Sequence, residues 1–247
     1  MRFSILGALI ALAAAPASAQ FPPTQLKNVK ALPGDIRISA LIDTMKGFTR
    51  ALGVRCTYCH VGREDQPLDQ YDFASDDKVT KLKARAMIRM VGAINSEYLA
   101  AVPARRDPPI VVNCITCHHG VSQPRSIQQL ILSAYQAGGA DSAERTYRAL
   151  RARYYGSAAY DFGEVPLTDV AAAAMAQGKA QDAIRFYKLN IELLPNSGFG
   201  YRQLGFGYLA MSDTAAALAA FTKRLELQPE NPEAKQLVDM LTRRPQR

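Results

Sequence analysis

Cysteine and histidine are scarce in this chain: four cysteines and three histidines in 247 residues, with no tryptophan. Four cysteines are too few for a disulfide scaffold at this length. Stretches that alternate apolar and polar residues are nearly missing, which argues against a fold built on sheets. Beyond the first 20 residues no apolar run is long enough to cross a membrane, since a spanning helix needs about 20 residues. Basic runs interleaved with aromatics are missing too, so nucleic-acid binding has little support. The formal net charge is +8. It is shared by both halves of the chain and would steer the protein mildly toward acidic partners or an anionic membrane. With 48% apolar and 21% charged residues, the chain is neither a disordered polymer nor a membrane bundle.

The first residues read MRFSILGALIALAAAPASAQ. Arg2 precedes an apolar run from Ile5 to Ala15, followed by the small-x-small pattern Ala17-Ser18-Ala19. This is the layout of a secretory signal peptide. It predicts a signal over residues 1–19 and a mature chain from Gln20 in the periplasm, free or peripheral on the membrane. No cysteine lies near the cleavage point to carry a lipid, and the mature chain has no candidate transmembrane segment.

All four cysteines fall in two copies of one pattern, Cys56-Thr57-Tyr58-Cys59-His60 and Cys114-Ile115-Thr116-Cys117-His118. C-x-x-C-H is the attachment pattern of c-type haem. Two thiols at this spacing form thioethers with the two vinyl groups of one porphyrin. The histidine that follows becomes the proximal iron ligand. Export fits, because this haem is attached outside the cytoplasm. A shared zinc site is a weaker reading, since the gap between the pairs far exceeds the usual 15–20 residues or so. Disulfides and a thioredoxin-like motif leave the two histidines unexplained. The expectation is two covalently bound haems c, with Cys56, Cys59, Cys114 and Cys117 as thioethers and His60 and His118 as proximal ligands.

A closed site needs a second axial ligand. His119 abuts His118 and cannot easily reach the opposite face of the same ring, which leaves methionine. Residues 35–51 carry helical apolar spacing at Ile38, Leu41, Ile42, Met45 and Phe48, and Gly53 allows a turn before Cys56. Met45 is therefore the candidate distal ligand of the first haem. Ser75-Asp76-Asp77 reads as an N-cap and acidic first turn for a helix over about 77–101. That helix bears Met87, the candidate for the second haem, with Met90 as the alternative and a five-coordinate iron as a third outcome. Core packing competes with ligation for any methionine.

The stretch from Asn28 to Gly120 resembles the cytochrome c subunit of photosynthetic reaction centres. The resemblance rests on NVK, the Met45 helix, GVRCTYCH, DFASDDKVTKLKARAMIRMVGAINSEY and VNCITCHHG. In that family each haem unit is a helix, a turn and then CxxCH, and methionine from the preceding helix usually ligates the iron. The resemblance implies Met45 and Met87 as sixth ligands, and a membrane-bound reaction centre or a respiratory complex as redox partner. The family subunit has four haems, one of them with a histidine from the other half of the protein, and is often lipid-anchored. Here there is one pair and no such half.

A repeat follows. Pro195 and Pro229, Ala183 and Ala217, and Tyr187 and Phe221 are each 34 residues apart, the period and pattern of tetratricopeptide repeats. Gly138, Ala143 and Tyr147 repeat the spacing of Gly178, Ala183 and Tyr187, suggesting an earlier hairpin. Asn231-Pro232 reads as the opening of a capping helix. Asn190 and Arg224 occupy positions that are usually small, which predicts looser packing there. Such arrays present a surface for a peptide or partner protein.

The sequence thus predicts an all-α chain. A small two-haem cytochrome domain over 20–124 is followed by a helical-hairpin, tetratricopeptide-like domain over 125–247. The function expected is electron transfer without enzymatic turnover, with the repeats docking a partner. The alternatives are a two-haem peroxidase-like enzyme with one open iron site, and a haem-containing scaffold or sensor.

Overall fold

A computed structural model describes residues 20–104 and 107–243; the signal segment expected over 1–19 lies outside them. The chain divides into two compact units at Ser122 and Gln123. Among the described residues the only β contact is an isolated bridge between Val61 and Asp72.

The first unit opens with helix α1, Ile38–Leu52. Its apolar residues fall on one stripe, and Gly53 stops it in the left-handed conformation at φ 64°. Short 3-10 turns follow at Cys56–Tyr58 and Leu68–Gln70. Helix α2 spans Val79–Ala93 and runs into a π turn at Ile94–Tyr98. It starts later and ends earlier than the expected 77–101. The expected cap does not form: Ser75 Oγ accepts the Asp77 N–H at 3.0 Å, and the Asp76 carboxylate is drawn instead to cations on α2 and near the N-terminus. Helix α3 is the single turn Cys114–His118. Its start is held by Thr116, whose Oγ1 accepts the Asn113 N–H at 3.1 Å and donates to Asn113 Oδ1 at 3.2 Å.

Helices α1 and α3 pack together. The Gly120 N–H donates to the Ala51 carbonyl at 2.9 Å. A β-carbon on Gly53 would overlap the Gly120 carbonyl oxygen, so glycine is required at position 53 by both conformation and contact.

The second unit begins with α4, Ile127–Tyr154, broken at Gly138–Gly139 into two helical segments. Gly139, not Gly138, takes the positive φ of 68°, one residue from the position the spacing predicts. Then come α5 Val165–Ala176, α6 Ala180–Leu193, α7 Gly198–Ala210, α8 Thr214–Leu227 and α9 Pro232–Thr242. Each helix packs mainly on its chain neighbours, the arrangement of a stacked solenoid. Its 34-residue period is steric. Ala183 and Ala217 are fully buried where helices cross, and Tyr187 and Phe221 fill the gaps. Gly178 and Ser212, also 34 apart, both take positive φ at the hairpin turns. Ala171 and Gly205 are another such pair, and a β-carbon on Gly205 would enter the Phe221 ring.

Looser packing at Asn190 and Arg224 is not what the structure has. Asn190 is buried and donates to the Glu164 carbonyl at 2.8 Å and Thr168 Oγ1 at 3.2 Å, tying α6 to the start of α5. Arg224 is buried and donates to Glu233 at 2.9 Å, tying α8 to α9. Polar pins replace the small residue at both equivalent positions.

Candidate haem-attachment sites

Each Cys-x-x-Cys-His segment is wound into one helical turn. In the first, the His60 N–H donates to the Cys56 carbonyl at 2.9 Å and the Cys59 N–H to the same oxygen at 3.2 Å. In the second, the turn is α3 itself. One turn brings residues i, i+3 and i+4 to one side, so Cys56, Cys59 and His60 share a face, as do Cys114, Cys117 and His118. No disulfide joins any two of the four cysteines. Burial raises the pKa of Cys59 and of Cys114. Among the described residues no three His, Cys, Asp or Glu side chains converge as a metal cluster. The two pairs therefore do not meet around one ion in the manner of a zinc site.

The chain after His118 explains how its ring is held. His119 and Gly120 take positive φ of 49° and 87°, turning Val121 back so that its N–H donates to the His118 carbonyl at 2.8 Å. The Val121 carbonyl then lies 2.9 Å from His118 Nδ1. A carbonyl can only accept, so this contact places the proton on Nδ1 and leaves Nε2 with a free lone pair, the form that ligates a metal.

His60 is set differently. Its Nδ1 is buried and has no hydrogen-bond partner among the described residues. Phe73 packs edge-on against its ring, centroids 5.0 Å apart, and is itself flanked by Phe21 and Tyr71. Burial first, then the charge of Lys81, push the His60 pKa below its ordinary value. Both effects favour the neutral ring, the form that ligates a metal.

Apolar surface completes the fit to a large flat cofactor. In the first unit only Ala51 and Val121 are buried apolar side chains among the described residues, whereas the second unit has an extended core. Leu82, Met87 and Met90 on α2, and Ile110, Val111 and Ile115 around the second motif, are all exposed. A unit of about 100 residues with so little core of its own needs a further apolar group to be stable, and a porphyrin is such a group. Met45 is half-buried on α1, the helix that packs on α3. Met87 and Met90 are three residues apart on α2 and similarly exposed, at 42% and 46%.

Two residues that position these sites were missed from sequence. Asn95, in the π turn, donates to the Val112 carbonyl at 2.7 Å and accepts the Val112 N–H at 2.8 Å. It holds the approach to Cys114 as a neighbouring strand would. Its only sequence signal is its type, an amide able to do both. Replacing Asn95 by Leu is expected to cost about 1–3 kcal/mol, the worth of two or three part-buried hydrogen bonds, read as a lowered unfolding midpoint of the haem-loaded first unit. An unchanged midpoint would count against this role. Asp76 is the other. It takes hydrogen bonds or ion pairs from Asn28, Lys30, Lys81 and Arg85, and the Arg85 contact foremost holds its carboxyl well below the usual range.

The second unit has a groove of about 750 Å³ lined by residues that include Glu144, Arg185, Lys188, Glu192 and Tyr208. Several of its charges are already paired. Arg185 binds Asp141 and Glu144, and Arg148 bridges Glu144 and Glu192 at 2.9 and 2.8 Å. These contacts brace α4 against α6.

No helix among the described residues is long and apolar enough to cross a membrane. In comparisons with solved structures, the first TPR of Spaghetti (RPAP3), bound to an HSP90 peptide, is 21% identical. The match covers 47% of this chain and 87% of that one, with a TM-score of 0.33. PcrH from Pseudomonas aeruginosa is 18% identical over 47% of this chain and 83% of that one, with a TM-score of 0.31. Among sequences, cytochrome c-554 of Chloroflexus aurantiacus is 33% identical over 100 residues, 40% of this chain and 21% of that protein. The photosynthetic reaction center cytochrome c subunit of Roseobacter denitrificans is 35% identical over 103 residues, 41% of this chain and 26% of that protein. The chain thus spans about a fifth to a quarter of the length of these relatives. The family described as photosynthetic reaction centre cytochrome C subunit matches residues 12–169. That match takes in both Cys-x-x-Cys-His turns and the helices before them and covers more than half of the sequence, so this chain belongs to the reaction centre cytochrome c subunit family.

Proposed function

We propose that this protein is an exported electron carrier with two covalently bound haems c, and that its repeat unit docks a protein partner. One observation carries the reading. Two Cys-Cys-His faces, each formed by a single turn, sit in a unit with only two buried apolar side chains among the described residues. Family membership supports haem c as the group attached. When bound, the haem supplies a one-electron ferric–ferrous couple.

The chain's own residues do the rest. Cys56 and Cys59 anchor one ring by thioethers, and Cys114 and Cys117 the other. His60 and His118 would each offer a ring nitrogen to the iron. His118 is kept in its metal-ligating tautomer by the Val121 carbonyl. Met45 and Met87, with Met90 as the alternative to Met87, would supply the second protein ligand to each iron. The apolar stripe of α2 shields the rings, which limits reorganisation of water around a changing charge. The stacked hairpins of the second unit offer a rigid surface for docking. The partner in this reading is a membrane-bound reaction centre or a respiratory complex.

Haem stoichiometry tests the proposal. The chain produced with its export segment, in a host that attaches haem c, is expected to carry two haems by intact mass and to begin at Gln20. Replacing Cys56 and Cys59 by Ala should leave one haem, and so should replacing Cys114 and Cys117. A wild-type chain with fewer than two haems would sink the reading.

A further inference from the structure

Charge is handled differently along α4. In its second segment Arg148 pairs with Glu144 and Glu192, and Arg185 of α6 pairs with Asp141 and Glu144. In the last turn the matching stops. Arg151 and Arg153 form no ion pair among the described residues, and each lies over an aromatic ring instead. The Arg151 guanidinium sits 3.8 Å from the centre of the Tyr155 ring, and that of Arg153 sits 5.0 Å from the centre of the Tyr154 ring. The helix dipole favours cations at this end but supplies no counter-ion. Asp161, in the link that follows, accepts the Gly163 N–H at 2.8 Å within its own turn.

The rings form one cluster. Phe162 is buried and meets Tyr147, Tyr155 and Tyr160 edge-on, with centroids 5.8, 6.0 and 6.3 Å apart, and Tyr160 meets Tyr154 at 5.2 Å. Tyr147 is 1% exposed and anchors the cluster in the core, whereas Tyr155 is 64% exposed. Arg125, held by Ser133 Oγ at 2.8 Å, reaches the same ground. Its charge and that of Arg153 both act on Tyr160, against the rise in pKa that burial causes there.

The chemistry of the patch says what fits it. A guanidinium fork pairs with a carboxylate through two parallel bonds. Held flat on a ring, it has fewer orientations to lose when that carboxylate arrives. Arginine and tyrosine are also the side chains on which protein interfaces concentrate their binding energy. A lipid surface is served instead by apolar side chains that enter the acyl boundary; here the exposed ring carries a hydroxyl, and a guanidinium lies over it. Arg151 Nη1 is buried without a hydrogen-bond partner among the described residues, so Arg151 serves the isolated fold poorly.

We propose that the C-terminal end of α4, with Arg151, Arg153, Tyr155 and Arg125, is a docking surface for an acidic protein segment that presents Asp or Glu carboxylates. This rests on the reading that the repeat unit docks a protein partner, and adds the place and the chemistry.

Fluorescence anisotropy of a labelled decaglutamate peptide, titrated with the haem-loaded full chain at low ionic strength, tests it. Wild type should bind, and added salt should weaken the binding. Arg151→Gln combined with Arg153→Gln should weaken it about tenfold, the joint worth of two exposed charge pairs. Arg145→Gln, on the same helix but outside the ring cluster, should change it by less than about twofold. Tyr155→Leu keeps every charge and should still weaken binding, whereas Tyr155→Phe should bind as wild type does. If circular dichroism shows the double variant unfolded, Arg153→Gln alone carries the same expected sign. Vesicles of phosphatidylcholine and phosphatidylglycerol serve as the counter-probe. Failure of wild type to bind the peptide, equal losses in Arg145→Gln and the double variant, or a loss on vesicles without one on peptide overturns the inference. Peptide binding that ignores Arg151 and Arg153 overturns it too, and leaves docking to another face of the repeat unit. Haem content is measured on the same samples: fewer than two haems ends the carrier reading and leaves the binding result standing.

Discussion

Produced without haem, the chain is expected to behave as a half-folded protein. Residues 38–52 and 79–98 should exchange their amide hydrogens almost as freely as an unstructured peptide and be cut early by proteases, while residues 165–227 stay protected. The reason is burial. The first unit has Ala51 and Val121 as its only buried apolar side chains among the described residues. At about 1.5–3 kcal/mol for a large side chain, and less for alanine, that cannot offset the conformational entropy of some 100 residues. The second unit buries Ile131, Tyr147, Leu167, Phe186, Phe221 and others across its hairpins, enough for an ordinary domain stability of roughly 5–15 kcal/mol. The two regions should differ by about 5 kcal/mol or more in opening free energy, within reach of native-state hydrogen exchange. Equal protection of α1, α2 and α6 without haem would show that the first unit stands on its own packing.

Gly53→Ala is expected to be the most damaging single substitution outside the ligands. At φ 64° a non-glycine residue costs about 1–2 kcal/mol. The new methyl would also overlap the Gly120 carbonyl, a backbone atom held near the end of α3 by the bond from Gly120 N–H to Ala51. Backbone cannot rotate away as a side chain can, so overpacking adds about 1–3 kcal/mol. The total, about 2–5 kcal/mol, falls on the junction where the helix bearing Met45 meets the second attachment turn. Thermal unfolding of the haem-loaded chain should show the loss, with the second unit's transition unmoved. A midpoint within a degree of wild type would mean that α1 and α3 are not locked together by this contact.

The legible part of the first unit was its local chemistry. Cys, Cys and His at i, i+3 and i+4 need only one helical turn, so their common face follows from spacing. Gly53 as the end of α1 follows from conformation alone. The extent of α2 follows from long-range contacts instead: Ser75-Asp76-Asp77 has the composition of a helix cap, but Asp76 is held by Asn28, Lys30 and Arg85. Two of these lie 46 or more residues away in the chain, and no window of sequence contains them. Asn190 and Arg224 were misread similarly. A family pattern expects a small residue, whereas here a buried polar side chain reaches a neighbouring helix, α5 from Asn190 and α9 from Arg224.

By itself the sequence determined the all-helical character, the two Cys-x-x-Cys-His turns and the 34-residue stack, because each follows from periodicities of a few residues or from a steric repeat. Tertiary structure alone decided which surroundings each turn receives. Closure of the chain brings Lys81, Arg85 and Phe73 to His60, sets Val121 beneath His118, and seats Gly53 on Gly120. Burial and charge at a site depend on residues that are distant in sequence, so two motifs that look alike along the chain become unlike once it folds.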